Sequence, residues 1–409
     1  MALTAAIVTV GTELVEGLRV DTNTSEIART IAPYGFAVVE AVSVGDSVDI
    51  LTGTLARLTA AHALVITTGG LGPTHDDITR EAAAAATGLP LASDQTLVAL
   101  LRQWQARHSN AAAREQILVQ AEILAGAEVI APTTGTAPGQ VVATAAGRLV
   151  LLPGPPSEMR PMLAQVLDKF EPIRATPIEI GVTGMSESDA QILAQQALSG
   201  IAAVDLTVLA RPGDVKVLLL DAGGGATALQ AARVSVSRAL GDRCYASDGS
   251  SLAQVVVREA STHGVTLGTA ESCTGGGVAR EITEIAGAST CFTGGVVAYA
   301  DAAKTSLLGV SPATLETHGA VSEEAAREMA RGARERLGAD VTVSVTGIAG
   351  PGGGTDHKPV GLVWFAVATA RGVTASERRF PPGSREAIRL RATAHALDLL
   401  RRCIMGTGV

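Results

Sequence analysis

The chain has 409 residues, 47% hydrophobic but only 2% aromatic, so its cores must be built from Ala, Val, Leu and Ile, a composition suited to parallel sheets covered by helices. That length exceeds one ordinary core, so two or three domains are expected, and the apolar runs, broken by Gly, Thr and charged residues, fall short of the ~18 residues needed to span a membrane. A net charge of −8, with no basic cluster beyond pairs such as Arg378-Arg379 and Arg401-Arg402, gives no electrostatic footprint for nucleic acid.

Met1-Ala-Leu-Thr leads straight into an apolar run without a basic n-region, so a secretory signal is not expected and a cytoplasmic location is. The first segment alternates a strand over 5–10, a helix over 24–32, a strand over 38–44, a helix over 48–58 and a strand over 63–68. This is the βαβ rhythm of a doubly wound sheet. The last of these strands runs into Thr67-Thr68-Gly69-Gly70-Leu71-Gly72-Pro73-Thr74-His75-Asp76-Asp77, and the pattern predicts a helix over 76–87, capped by Asp76 or Thr74 and closed by Gly88 and Pro90. Open α/β sheets bind ligands at the carboxyl ends of such strands, so Thr68, Gly69, Gly70, Gly72 and Thr74 are candidates to hold a phosphate through backbone N–H groups. Asp76 and Asp77 would repel that anion unless a divalent metal bridged carboxylate and phosphate; otherwise the two cap the helix and complement its dipole. His75 reads as a solvated turn residue. After an Ala-rich helical stretch come a strand over 148–152, the break Pro153-Gly154-Pro155-Pro156 and a helix capped by Ser157 that ends at 167, which closes a first domain over 1–170.

Residues 171–247 have short β-type runs at 178–182, 207–209 and 215–220, helices over 188–198 and 226–240, and turns at Arg211-Pro-Gly-Asp214 and Asp221-Ala-Gly-Gly-Gly225. A small α+β connecting domain is the economical reading. The third segment, 248–409, opens with a helix over 251–262 and contains a helix after Ser322 with Glu323 and Glu324 in its first turn, a strand over 341–345 and a closing helix over 384–400. Cys244, Cys273, Cys291 and Cys403 form no CxxC pair and have no histidine at ligand spacing, which argues against structural zinc and a disulfide scaffold.

In that third segment the apolar run Val265-Thr266-Leu267 leads into Gly268-Thr269-Ala270-Glu271-Ser272-Cys273-Thr274-Gly275-Gly276-Gly277, followed by Val278, Ala279, Ile282 and Ile285 at helical spacing. A strand, turn and helix in this order would leave the Ser272 hydroxyl at a helix N-terminus, among backbone N–H groups able to stabilise an oxyanion. Lys304 follows Tyr299 by five residues, and a desolvated lysine can serve as base for a serine, with a tyrosine hydroxyl as relay. The residues are equally compatible with a phosphate-cradling turn in which Ser272 only hydrogen-bonds. Ser344-Val345-Thr346-Gly347-Ile348-Ala349-Gly350-Pro351-Gly352-Gly353-Gly354-Thr355 joins the 341–345 strand to another over 360–368. It reads either as a hairpin connection or as a wall whose glycines let backbone approach a substrate. Neither G-x-S-x-G nor H-E-x-x-H occurs.

Taken in order, Val10-Gly-Thr-Glu13, Thr67-Thr-Gly-Gly-Leu-Gly-Pro-Thr74 with Asp76-Asp77, Gly135-Thr-Ala-Pro-Gly139, Leu152-Pro-Gly-Pro-Pro156, Glu271-Ser-Cys-Thr-Gly-Gly276, Thr346-Gly-Ile-Ala-Gly-Pro351 and Phe380-Pro-Pro-Gly-Ser-Arg385 closely resemble the CinA family of bacterial competence/damage-inducible proteins, over essentially the whole chain. The resemblance implies an α/β protein with a three-layer MoaB/MogA-like N-terminal domain, a KH-like connecting domain and a nicotinamide-nucleotide amidohydrolase domain. It implies that Ser272 is the nucleophile, with Tyr299 and Lys304 assisting, and that Thr274, Gly275, Gly276, Thr346, Gly347, Gly350 and Arg385 contact the substrate. The reaction would turn nicotinamide mononucleotide and water into nicotinate mononucleotide and ammonia, without a cofactor. For the N-terminal domain the resemblance implies an ADP-ribose pyrophosphatase using a divalent metal ion, alone or with a monovalent cation, and a homodimer. Family members commonly carry Asn-x-Arg-Lys shortly before a Gln-Ala pair, whereas Gln116-Ile117-Leu118-Val119 precedes Gln120-Ala121 here, and Arg114 lies slightly upstream. Losing basic groups beside a diphosphate removes charge-assisted hydrogen bonds. The reading from a different class is a nucleotide- or pterin-binding regulatory protein that engages a partner, linked to competence or DNA damage.

Overall fold

The first strand, β1 (Leu3–Val10), alternates its side chains between two buried surfaces, as the two-residue period of an extended chain requires. In the computed structural model, which describes residues 3–105, 115–132 and 134–407, the chain divides into two compact units, Met1–Ala175 and Thr176–Val409.

In the first unit β1 lies between β2 (Phe36–Val44) and β3 (Leu64–Thr68), both parallel to it. Beyond the short pair β4 (Leu91–Ser93) and β5 (Glu122–Leu124), the main sheet takes in β6 (Glu128–Ile130), β7 (Gly139–Ala143) and β8 (Arg148–Leu152) in the order β2-β1-β3-β8-β7-β6. Ala6 and Val8 join Leu51, Leu55 and Leu58 of the Val48–Ala61 helix on one face. Ala5 and Ile7 join Ile27 and Ile31 of the Asn23–Ile31 helix and Met159 and Leu163 of the Pro156–Leu167 helix on the other. The domain is three-layer α/β. Two sequence expectations are corrected at the helix starts. The helix expected from 76 begins at Thr79 with Ile78 as its cap, because Asp77 folds back onto its own loop; the helix expected to be capped by Ser157 is capped by Pro155.

The second unit begins with β9 (Ile178–Val182), β10 (Val204–Arg211), β11 (Asp214–Asp221) and β12 (Cys244–Ala246), an antiparallel sheet in the order β10-β11-β9-β12 that carries the Glu187–Ala197 and Gly225–Leu240 helices. The run expected at 207–209 is the centre of a longer strand, paired through a tight turn at Pro212-Gly213. Next come β13 (Leu267–Glu271), β14 (Phe292–Val297), β15 (Val341–Gly347), β16 (Leu362–Thr369) and β17 (Gly372–Arg379), in the order β14-β13-β15-β16-β17, with β13 parallel to both neighbours. The Leu252–His263 and Arg385–Met405 helices cover one face. The Glu323–Leu337 helix covers the other through Ala326, Ala330 and Ala333, while Thr342 and Ser344 bond its carbonyls. The contact is built mostly from small side chains, Ala326 and Ala330 against Ala366 and Ala368, with Trp364 packed against them. No helix among the described residues is long and apolar enough to cross a membrane.

Candidate functional site

Both main sheets have a strand flanked by parallel neighbours that the chain reaches in opposite directions, β1 between β2 and β3, and β13 between β14 and β15. Crossovers leave opposite faces at such a point and open a crevice at the carboxyl ends of the strands.

Ser272 follows β13 at that crevice, 8% exposed, its amide donating to Val345 O of β15 at 2.9 Å. Gly275 donates to Ser272 O at 3.1 Å, and Gly275 and Gly276 take φ of +61° and +91°, which turn the chain into the Gly277–Thr283 helix. Glu271 is fully buried and accepts the amides of Val278 at 3.0 Å and Ala279 at 2.8 Å. This corrects the expectation that the first helical amides face an oxyanion: a buried carboxylate needs donors, and these are the nearest. Arg389, absent from the expected site, donates to Cys273 O at 3.2 Å and Thr274 O at 2.8 Å and so braces the turn from the closing helix. Its spacing of four from Arg385 puts both on one helical face, which is the signal a sequence reader could have used. The Thr274 hydroxyl is buried with no partner among the described residues. Burial first, then Glu271, pushes the Cys273 thiol up to about 12.

Ala298 donates to Glu271 O at 2.8 Å, so Tyr299 follows β14 at the same end of the sheet where Ser272 follows β13. Lys304, in the first turns of the Asp301–Leu308 helix, is only 2% exposed; its Nζ donates to Tyr299 O at 3.0 Å and to Asp301 Oδ1 at 3.3 Å. The tyrosine relay is therefore corrected. Lys304 meets the Tyr299 carbonyl, while the hydroxyl of Tyr299, 60% exposed, accepts from Arg385 Nη2 at 2.7 Å. Arg385 Nη1 donates to Gly350 O at 2.8 Å, which brings Tyr299, Arg385 and Gly350 together. Thr346 and Gly347 sit at the end of β15, but the Thr346 hydroxyl donates to Ala320 O at 2.7 Å. A Cβ at Gly347 would lie 2.6 Å from Val363 Cγ2, and one at Gly350 would lie 2.7 Å from Val360 Cγ1. These two glycines serve close packing within their own hairpin.

In the first unit a cavity of about 380 Å³ opens at the ends of β1 and β3. Thr68 Oγ1 donates to Pro153 O at 2.8 Å and accepts from Asn23 Nδ2 at 2.9 Å. Gly69 and Gly70 take φ of +106° and +65°, and a side chain at Gly69 would strike Val10 O. The amides of Gly72 and Thr74 were candidates to hold phosphate. They instead donate to Asp77, at 2.7 and 2.8 Å, and the Thr74 hydroxyl adds a third bond at 2.7 Å. Asp76 is exposed and pairs with His75 at 2.7 Å. Behind the loop, Arg80 is buried and donates to Leu71 O at 2.6 Å and Gly72 O at 2.9 Å; burial pushes its pKa down while Asp77 and Glu122 oppose. Asn23 Oδ1 and Gln120 Oε1, buried acceptors without partners among the described residues, belong to residues lining the cavity, as do Glu158, whose carboxyl burial pushes up, and Arg19. In the departing stretch Ile117 is core; Arg114 lies outside the described residues. No three His, Cys, Asp or Glu form a metal cage among the described residues.

Residues 249–404 match the family described as CinA C-terminal domain, and residues 6–172 match that described as probable molybdopterin binding domain. A protein of Symbiobacterium thermophilum described as competence-damage inducible is 40% identical, over 98% of this chain and 99% of its own. The chain belongs to the CinA family. A CinA-like protein of Acidobacterium capsulatum is 37% identical over 98% of this chain and 100% of its own. The crystal structure of the competence/damage inducible protein CihA from Agrobacterium tumefaciens is 46% identical, over 36% of this CinA-family chain and 91% of its own, with a TM-score of 0.36.

Proposed function

We propose that the second unit is a nicotinamide mononucleotide deamidase with Ser272 as nucleophile. The observations that support this reading are a buried serine at the crevice end of β13, a buried lysine just beyond the end of the neighbouring β14, and a Tyr299-Arg385-Gly350 hydrogen-bond chain that joins the end of β14 to the closing helix. Ser272 Oγ attacks the carboxamide carbon, the C–N bond breaks, and ammonia leaves carrying the proton that the serine gave up. Water then opens the resulting ester to a carboxylate and frees the serine. Lys304, the one lysine buried among the described residues, is assigned the proton transfer, and Arg385 the substrate phosphate, for which a planar fork is suited. Cys273 is a poor rival, since a thiol held near 12 is almost wholly protonated at neutral pH. The test is ammonia release from nicotinamide mononucleotide by metal-free protein. Ser272→Ala should lose at least about a thousandfold in kcat, while Cys273→Ala keeps most of it. Full activity in Ser272→Ala would sink the assignment.

A second reading, a metal-dependent ADP-ribose pyrophosphatase in the first unit, is favoured by the acceptors of Asn23 and Gln120, which have no partner among the described residues, in a cavity also lined by Asp77 and Glu158. Such an oxygen-rich set fits a hard cation, which Asp77 and Glu158 would hold and which would neutralise charge on a bound diphosphate. Arg19 supports the same reading by supplying a cation that the 116–119 stretch lacks.

A further inference from the structure

A larger cavity, about 1030 Å³, lies within the second unit between the antiparallel sheet and the Arg385–Met405 helix. Small-molecule sites commonly run from about 300 to 1,000 Å³. One wall is the turn Arg211-Pro-Gly-Asp214 singled out in the sequence. Gly213, at φ +87°, presses it against the helix: a Cβ there would come 2.8 Å from Ala394 Cβ and 2.9 Å from Leu390 O.

Four arginines line this cavity; Arg211 pairs with Asp214, which leaves Arg243, Arg378 and Arg391. Each is oriented by one bond to a neutral acceptor: Arg243 Nη1 to Gly184 O at 2.8 Å, Arg391 Nη1 to Pro381 O at 3.1 Å, and Arg378 Nε to His395 Nε2 at 3.3 Å. None of the three pairs with a carboxylate among the described residues, so most of their five donors each stay open. Gly184, at φ +63°, makes room for the first of them, since a side chain there would strike Arg243 Nη1. The acids of the same cavity are committed or few. Asp214 pairs with Arg211 at 3.1 Å and accepts from Tyr245 at 2.7 Å, Asp189 accepts from Ser186 at 2.7 Å, and Glu187 is left.

We propose that this cavity binds a small phosphorylated molecule, its phosphate held by Arg243, Arg378 and Arg391 and its apolar part lying against Phe380 and Pro212. Three forks exceed what the two oxygens of a carboxylate can accept, whereas a phosphate presents at least three oxygens and nearly twice a carboxylate's charge. His395 serves as the neutral acceptor that aims Arg378: its ring packs edge-on against Phe365 at 4.7 Å, and burial, followed by Arg378, Arg402 and Arg243, drives its pKa down to about 3. This site is independent of the Ser272 chemistry.

The test is arginine modification by phenylglyoxal in the full chain, read residue by residue by peptide mass spectrometry, with inorganic pyrophosphate as probe. Pyrophosphate should slow modification of Arg243, Arg378 and Arg391 together, and sodium chloride at matched ionic strength should not. In an Arg378→Ala/Arg391→Ala protein with wild-type melting temperature, protection of Arg243 should need at least about tenfold more pyrophosphate. If that protein does not fold, Arg378→Gln alone is read in the same way. Unchanged modification with pyrophosphate, or equal protection by chloride, overturns the proposal. Protection by a single-stranded oligonucleotide but not by pyrophosphate also overturns it, in favour of a polynucleotide.

Discussion

In the proposed deamidation the chemistry turns on a single buried nitrogen, that of Lys304. Its bonds to Tyr299 O and Asp301 hold it in the turn after β14, so substituting it tests proton transfer only if the stem stays packed. Lys304→Met keeps the stem and removes the amine; it should lose at least about a thousandfold in kcat for deamidation with a melting temperature near wild type. Lys304→Arg, which cannot deprotonate, should fail nearly as badly. Wild-type turnover in Lys304→Met, measured by ammonia release, would remove the amine from the mechanism. The sequence pointed to this lysine and to Ser272 through spacing. It could not reveal that the Tyr299 hydroxyl turns away to Arg385, because the carbonyl and the hydroxyl of one tyrosine leave the strand end in different directions.

The Gly277–Thr283 helix and the Arg385–Met405 helix are positioned by charges that also shape the site. Glu271 anchors the first by accepting two amides, and Arg389 ties the second to the turn after Ser272. Arg389→Ala should lower kcat by about tenfold to a hundredfold with little change in KM, through loss of two hydrogen bonds that fix the Cys273 and Thr274 carbonyls. An unchanged kcat would make that clamp structural only. The closing helix also carries His395, whose pKa falls from 6.5 to about 3 in the fold. As the pH drops below 6.5 the unfolded chain takes up a proton that the native imidazole refuses until about 3, so stability is lost across that window. The loss from this one group is roughly 2 kcal/mol by pH 5. Urea unfolding at pH 7 and pH 5 should show it, and His395→Gln should flatten the slope; an equally steep slope in the variant would assign the acid sensitivity elsewhere.

Across the whole molecule the two units repeat one design, a central strand with parallel neighbours on both sides and a glycine-rich loop at its crevice. Separate crevices imply separable activities. Chelation of metal by EDTA should abolish ADP-ribose cleavage and leave deamidation intact, and Asp77→Ala, which removes three bonds closing the Gly72 loop, should do the same. Deamidation falling with the pyrophosphatase in Asp77→Ala would overturn that independence. Absence of ADP-ribose cleavage by the wild type with any divalent metal would support a unit that only binds its ligand. The sequence by itself determined the layers, because apolar periodicity marks strand and helix, and it pointed to both crevices, because in each a glycine run directly follows a strand of the main sheet. Only the tertiary structure decided which donors remain for a ligand. The amides of Gly72, Thr74, Val278 and Ala279 look open in sequence yet are taken by Asp77 and Glu271, and the turn after Ser272 is braced by Arg389 from 116 residues away. Hydrogen-bond satisfaction is a demand of burial, met by whichever partner the fold brings near, and no local pattern records that choice.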